Sequence, residues 1–192
     1  MMELCKIEAQ LKSILSERRF KHSLGVANEA KKLAEFYNAD VQKAYLAGLV
    51  HDCAKEIPTE KMVAILNDNY GIIVDSLMTA MPKLLHGTLG ACVAQSEFDI
   101  YDAEVLDAIR CHTTGKANMS MLAKIIYIAD YIEPNRDFEG VDELRELTYK
   151  NIDKAIIKGI NMTVADLIKR DLVFHTDTIH ARNYLILHGD ME

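Results

Sequence analysis

Apolar residues recur at three- and four-residue steps through most of the chain, the spacing that lines one face of an α-helix. Ile7, Leu11, Ile14 and Leu15 form a first stripe, and Val26, Ala30, Leu33 and Ala34 form a second that places His22 on its buried face. Asp40 is positioned to cap a third helix through Ala44, Ala47, Gly48 and His51, whose small residues permit close packing. Pro58 and Thr59 restart a helix through Met62, Ile65 and Leu66, and residues 67–81 read as irregular, with Asn67, Asn69 and Gly71 as breakers. His86 opens a helix through Leu89, Val93 and Ala94. Val105, Ala108, Ile109 and His112 share a face of the next, which Thr113, Thr114 and Gly115 end. Asn118 or Ser120 caps a helix carrying Leu122, Ile126 and Asp130 at four-residue steps, stopped by Pro134 and Asn135. The helical pattern resumes from Val141 to Ile168, and Asp171 to Thr178 reads as a loop before a short last helix. The expected fold is all-α: one compact helical domain over residues 1–192, with a core at about 18–136 and C-terminal helices and a loop at about 140–188.

Composition agrees, with 3 Pro and 9 Gly, too few for a turn-rich sheet protein, and 49% hydrophobic residues to fill a core. No apolar run is long enough to span a bilayer, and Met1-Met2-Glu3 opens into an amphipathic pattern rather than a secretory leader. Cys5, Cys53, Cys92 and Cys111 form no C-x-x-C pair, so they read as reduced thiols of a cytoplasmic protein. The net charge of −7 disfavours a nucleic-acid scaffold, which would neutralise phosphates with Lys and Arg. A small phosphorylated ligand remains compatible, because a metal and a few placed cations suffice for it.

Six polar residues stand in these apolar helices: His22, the adjacent His51 and Asp52, His86, His112 and Asp130. Singly, each has a plain structural reading as a hydrogen-bonded core histidine, a cap or an ion-pair partner. Jointly, four imidazoles and two carboxylates on separate helices form a ligand set suited to a transition metal. Adjacent helical residues project about 100° apart, so His51 and Asp52 can straddle an ion at the edge of one face.

The segments RFKHSLGVA, AGLVHDCAKE, LLHGTLGA, AIRCHTTG and IIYIADYIEPNR resemble the HD-domain metal-dependent phosphohydrolases. Together with the terminal HTDTIHARNYL they look like the YqeK-type branch, which cleaves diadenosine tetraphosphate symmetrically into two ADP. The resemblance runs from about Arg19 to Leu185, with His180 and Thr176 departing from the branch pattern. It implies an HD domain in which His22, His51, Asp52 and Asp130 ligate one metal, and His86 and His112 complete a second site or contact phosphate. It further implies one or two divalent transition metals, iron first, with manganese, cobalt or zinc as alternatives, and a metal-bound water that attacks phosphorus. Lys55, Arg19 and Arg136 would hold phosphate. Arg19 rather than Arg18 fits the R-[FY]-x-H pattern. Thr113, Asp177, Thr178 and Arg182 would contact the nucleotide, while His175 and His188 read as surface histidines. The implied partner is a small dinucleoside polyphosphate, with no nucleic acid and no membrane, and a homodimer is compatible with this. Two alternatives stay open: another nucleotidase or phosphodiesterase of the superfamily, and a non-catalytic sensor that holds metal and nucleotide.

Overall fold

Short polar side chains mark where most helices begin. Ser16, Asp40, Asp75, Asp102, Ser120 and Asn151 each accept a hydrogen bond from a backbone N–H of the first turn that follows, satisfying donors that the helix itself leaves unpaired. The computed structural model describes residues 2–190. Within them the helices are α1 (Leu4–Ile14), α2 (Glu17–Phe36), α3 (Val41–Val50), α4 (Thr59–Tyr70), α5 (Ser76–Ala80), α6 (Leu85–Phe98), α7 (Ala103–Cys111), α8 (Met121–Ile132), α9 (Val141–Thr148), α10 (Ile152–Lys169) and α11 (Thr176–His188). A 3-10 turn, Pro82–Leu84, leads into α6, and no strand occurs among the described residues.

The stripes read from the sequence pack as one cluster. It joins Val26, Ala30 and Leu33 of α2 to Ala47 and Leu49 of α3, Ile125 and Ile126 of α8, Ile156 and Ile160 of α10, and Leu185 of α11. Full burial of such a side chain is worth roughly 1.5–3 kcal/mol. Gly48 allows the central contact, since a Cβ there would lie 2.8 Å from Ala27 Cα and force α2 and α3 apart. A smaller cluster of Met62, Leu66, Leu85 and Leu89 fastens α4 to α6.

Several boundaries differ from the sequence expectation. Residues 67–81 are not all irregular, because α4 continues to Tyr70 and α5 follows at Ser76. Asn67 and Asn69 face solvent, where weak helix propensity costs a few tenths of a kcal/mol that Met62 and Leu66 outweigh by packing. Gly71 then ends the helix with φ 66°, in the left-handed region glycine tolerates. The stretch from Val141 to Ile168 divides at Tyr149–Asn151, because Asn151 caps a new helix. Ile14 is exposed, as α1 ends beneath it. No described helix is long and apolar enough to cross a membrane.

Candidate metal centre

Helix ends bring the six polar residues to one place. His22 lies in the second turn of α2, His51 and Asp52 directly follow α3, His86 is the second residue of α6, His112 caps the C-terminus of α7, and Asp130 is near the end of α8. Each imidazole is fixed by its Nδ1. That atom donates to Gly48 O in His51 (2.6 Å), to Lys83 O in His86 (2.6 Å), to Ile109 O in His112 (2.7 Å) and to Glu133 Oε1 in His22 (3.1 Å). Those oxygens accept only, so Nδ1 carries the proton and every neutral ring turns an Nε2 lone pair inward. Metal-binding histidines are held in the same way.

Asp52 stands between the rings, 2% exposed. Its Oδ1 lies 3.1 Å from His86 Nε2 and 3.6 Å from His112 Nε2. Its Oδ2 lies 3.5 Å from His51 Nε2, 3.7 Å from His22 Nε2 and 2.7 Å from Arg19 Nη1. Asp130 Oδ1 is 3.0 Å from His22 Nε2. One carboxylate thus presents an oxygen to each of two histidine pairs.

The electrostatics favour a cation here. Burial opposes ionisation of Asp52, yet the charge of His51 and the close approach of the His112, His51 and His86 rings hold its carboxyl well below the usual range. Burial also opposes charge on His51, but Asp52 and Asp130 overcome it and raise the imidazole. His86 is driven the other way: burial pushes it down to about 4, with Asp52 opposing and the charges of His112 and Lys55 reinforcing. A neutral His86 therefore faces His112 Nε2 at 3.0 Å.

The donor set fits divalent metal. Nε2 of His22, Nε2 of His51 and Oδ1 of Asp52 are buried without hydrogen-bond partners, a costly state that a bound ion would relieve. Ligand atoms of His22, His51 and Asp130 lie within 4.8 Å of one another, as do those of His51, Asp52 and His112. Imidazole and carboxylate donors suit iron, manganese, cobalt or zinc alike. The neighbouring Cys53 and Cys111 stay protonated: burial raises both thiols, that of Cys111 to about 12.

Lys55 reaches the cluster by a route that helical spacing does not describe. Residues 51–56 form successive turns rather than more of α3, and Lys55 Nζ lies 3.1 Å from His86 Nε2. Burial lowers its pKa, against Asp52 and with Arg19, so it is not a solvated lysine. Arg136 donates from Nε to Asp130 O (2.7 Å) and from Nη2 to Asp130 Oδ1. With Lys55 and Thr113 it lines a cavity of about 740 Å³ over the cluster, whose further wall is Tyr131, Phe138 and Leu167.

Asp177, Thr178 and Arg182 are not in the lining of that cavity. Arg182 Nε donates to Asn161 and faces a shallow groove with Val164 and Ile168. The cavity instead takes Met162, Thr163 and Asp166, on the opposite stripe of α10 at 100° per residue. Thr178 is buried, and Asp177 neighbours the rings of His175 and His180. His175 is no surface histidine: its ring, 11% exposed, caps α11 by accepting from Asp177 N. Glu133, the orienting partner of His22, went unread in the sequence. Its signal was available only as a carboxylate three residues past Asp130.

The HD domain family model matches residues 19–135 of the chain. The symmetrical bis(5'-nucleosyl)-tetraphosphatase of Bacillus subtilis is 41% identical over 178 residues, covering 93% of this chain and 95% of that protein. The Staphylococcus aureus protein of the same name is 40% identical over 185 residues, covering 95% and 94%. A crystal structure from Clostridium acetobutylicum, described as a predicted HD superfamily hydrolase involved in NAD metabolism, is 47% identical. It superposes with a TM-score of 0.95 over 97% of this chain and 98% of that one. The matched span takes in all six clustered residues, and the chain belongs to the HD domain family as a hydrolase.

Proposed function

We propose that this enzyme hydrolyses diadenosine tetraphosphate symmetrically to two ADP. The observation that carries the reading is the two-sided Asp52 carboxylate, set between the His22–His51 and His86–His112 pairs beneath a cavity of about 740 Å³. That size lies within the range of about 300–1,000 Å³ usual for small-molecule sites. The names of the Bacillus subtilis and Staphylococcus aureus relatives support the substrate.

His22, His51, Asp52 and Asp130 would hold one divalent ion, and His86 and His112, sharing Asp52, a second. Iron is the metal we favour over manganese, cobalt and zinc. When bound, such ions acidify water and neutralise charge on the phosphoryl oxygens. The chain's own residues do the rest. Arg19 and Arg136 bring planar guanidinium groups to the cluster, Arg19 on Asp52 and Arg136 on Asp130, a geometry suited to paired phosphate oxygens. Lys55 stands beside His86, where an ammonium would offset the charge that develops on the departing nucleoside diphosphate. Thr113 offers a hydroxyl at the cavity wall, and Phe138, Tyr131 and Leu167 offer apolar surface to a nucleoside. A nucleoside seated there sets how far along the phosphate chain the cluster acts.

The test is incubation of the as-purified protein with diadenosine tetraphosphate, resolving products by chromatography and measuring bound metals by elemental analysis. Two ADP support the reading, and ATP with AMP would overturn the register. No turnover with iron, manganese, cobalt or zinc would identify a binding protein instead.

A further inference from the structure

Polar contacts clasp α8 to α10 at two places. Lys124 Nζ lies 2.6 Å from Asp153 Oδ1 near the start of both helices. Seven residues on along α8 and ten on along α10, the hydroxyls of Tyr131 and Thr163 share a hydrogen bond of 2.7 Å. The helices therefore run side by side in the same direction, and the second clasp stands in the wall of the cavity over the cluster.

Tyr131 is placed with little freedom. Its ring tilts against that of buried Tyr127, with centroids 5.4 Å apart. It also lies along α10 at Gly159, where a Cβ would meet Tyr131 Cε1 at an ordinary 3.7 Å. Gly159 and Thr163 are one turn apart on the same face, so the ring spans that turn and its hydroxyl ends on Thr163. The end of α8 is held from another side by Arg145. That residue donates from Nε to Ile132 O (3.0 Å) and from Nη2 to Glu133 O (3.1 Å) and Arg136 O (2.8 Å), carbonyls at and just past the helix end, where the helix supplies no donor.

The two helices bring different things to the cavity. Asp130, adjacent to Tyr131, is on α8, whereas α10 presents Met162, Thr163, Asp166 and Leu167 to the wall that would seat a nucleoside. The separation of α10 from Asp130 decides how many phosphates fit between nucleoside and cluster. Resting on the substrate reading above, we propose that the Tyr131–Thr163 hydrogen bond is the ruler of that separation, which makes both positioning residues that select a bridge of four phosphates. Neither hydroxyl needs to touch phosphorus; the bond acts by keeping the α10 wall at one distance from Asp130. A bridge one phosphate shorter or longer then sets the reacting phosphorus off line, and a misplacement of about 1 Å costs on the order of 100-fold in rate.

The experiment compares wild type with Tyr131→Phe, Thr163→Val, their double variant, Thr163→Ser and Lys124→Gln, at matched metal occupancy and with metal-free melting measured for each. The substrates are diadenosine tri-, tetra- and pentaphosphate, which take up one water to give AMP with ADP, two ADP, and ADP with ATP. Wild type should favour the tetraphosphate about 100-fold in kcat/KM over the other two. Tyr131→Phe keeps the ring and loses only the hydroxyl. It and Thr163→Val should each lower kcat on the tetraphosphate about tenfold with KM within about twofold, and cut the length preference to about tenfold. The double variant should match the single ones, since one bond is lost in all three, and Thr163→Ser should restore the wild-type preference. Lys124→Gln opens the far clasp and should lower the melting temperature while the length preference stays. Equal losses on all three lengths would make the pair a brace for the fold, and additive losses in the double variant would mean that the hydroxyls act apart; either overturns the proposal. So would a wild type indifferent to length, or a Lys124→Gln variant that loses the preference as well. No ADP from the tetraphosphate with wild type would overturn the substrate reading and the ruler together, whereas cleavage with an unchanged length preference in Tyr131→Phe and Thr163→Val would overturn the ruler alone.

Discussion

Nδ1 of His22 and Oε1 of Glu133 lie 3.1 Å apart, and both residues are buried. A carboxylate behind a metal-facing imidazole fixes ring orientation and raises the basicity of the opposite nitrogen. Glu133→Gln keeps an acceptor but removes the charge. Divalent-metal affinity should fall about 10–100-fold, measured by competition with a chelator, while metal-free melting stays near wild type. Wild-type affinity would reduce Glu133 to a brace for the loop at Asn135.

Gly25 tests the same pair from the other side. A Cβ there would sit 2.4 Å from Glu133 Oε2 and 3.2 Å from Asn135 Nδ2. Glycine to alanine inside a helix normally stabilises by roughly 1 kcal/mol. Here Gly25→Ala should instead lower metal affinity, with the same sign as Glu133→Gln, because the carboxylate must move. Unaltered metal binding in this variant would mean the carboxylate shifts without consequence.

The His86–Asp52–His112 side of the cluster makes a separate claim. His86→Ala and His112→Ala should each cut turnover by at least about a hundredfold, as loss of a metal or phosphate contact would. Metal-free melting should drop modestly, at about 2–4 °C per kcal/mol for a chain this long. Asp52→Asn should cost both sides at once, so metal content is expected to fall below that of either histidine variant. Activity retained in both alanine variants would return these histidines to the core.

Much of this centre was legible because helical period alone decides direction. His22, His112 and Asp130 share their faces with Val26, Ile109 and Ile126, which pack inward, and the polar residues follow. Asp40 and Ser120 were readable as caps for the same local reason. What was hidden depends on contacts far apart in sequence. The partner of Glu133 is 111 residues away, and Lys55 meets His86 only because residues 51–56 leave the helix. That Arg182 meets Asn161 was not readable either, because spacing within α11 says nothing about which stripe of α10 it faces. Tertiary packing also carried α4 past Asn67, a choice local propensity does not disclose.

The placement of the nucleoside separates two sets of residues. Phe138 lines the large cavity beside Arg136, whereas Arg182 faces a groove on the opposite stripe of α10. Phe138→Ala should raise KM for diadenosine tetraphosphate about tenfold, since a base against an aromatic side chain is worth roughly 1–3 kcal/mol. Asp166→Asn, a change at the same cavity, should alter base preference more than turnover, read by comparing adenine and guanine dinucleotides. Arg182→Gln should leave KM within about twofold, as for exposed substitutions worth under about 0.5 kcal/mol. The comparison is decided by KM at matched metal occupancy. A tenfold rise in Arg182→Gln with no change in Phe138→Ala would move the nucleoside to the α11 side and restore the role that the terminal segment's family resemblance implies.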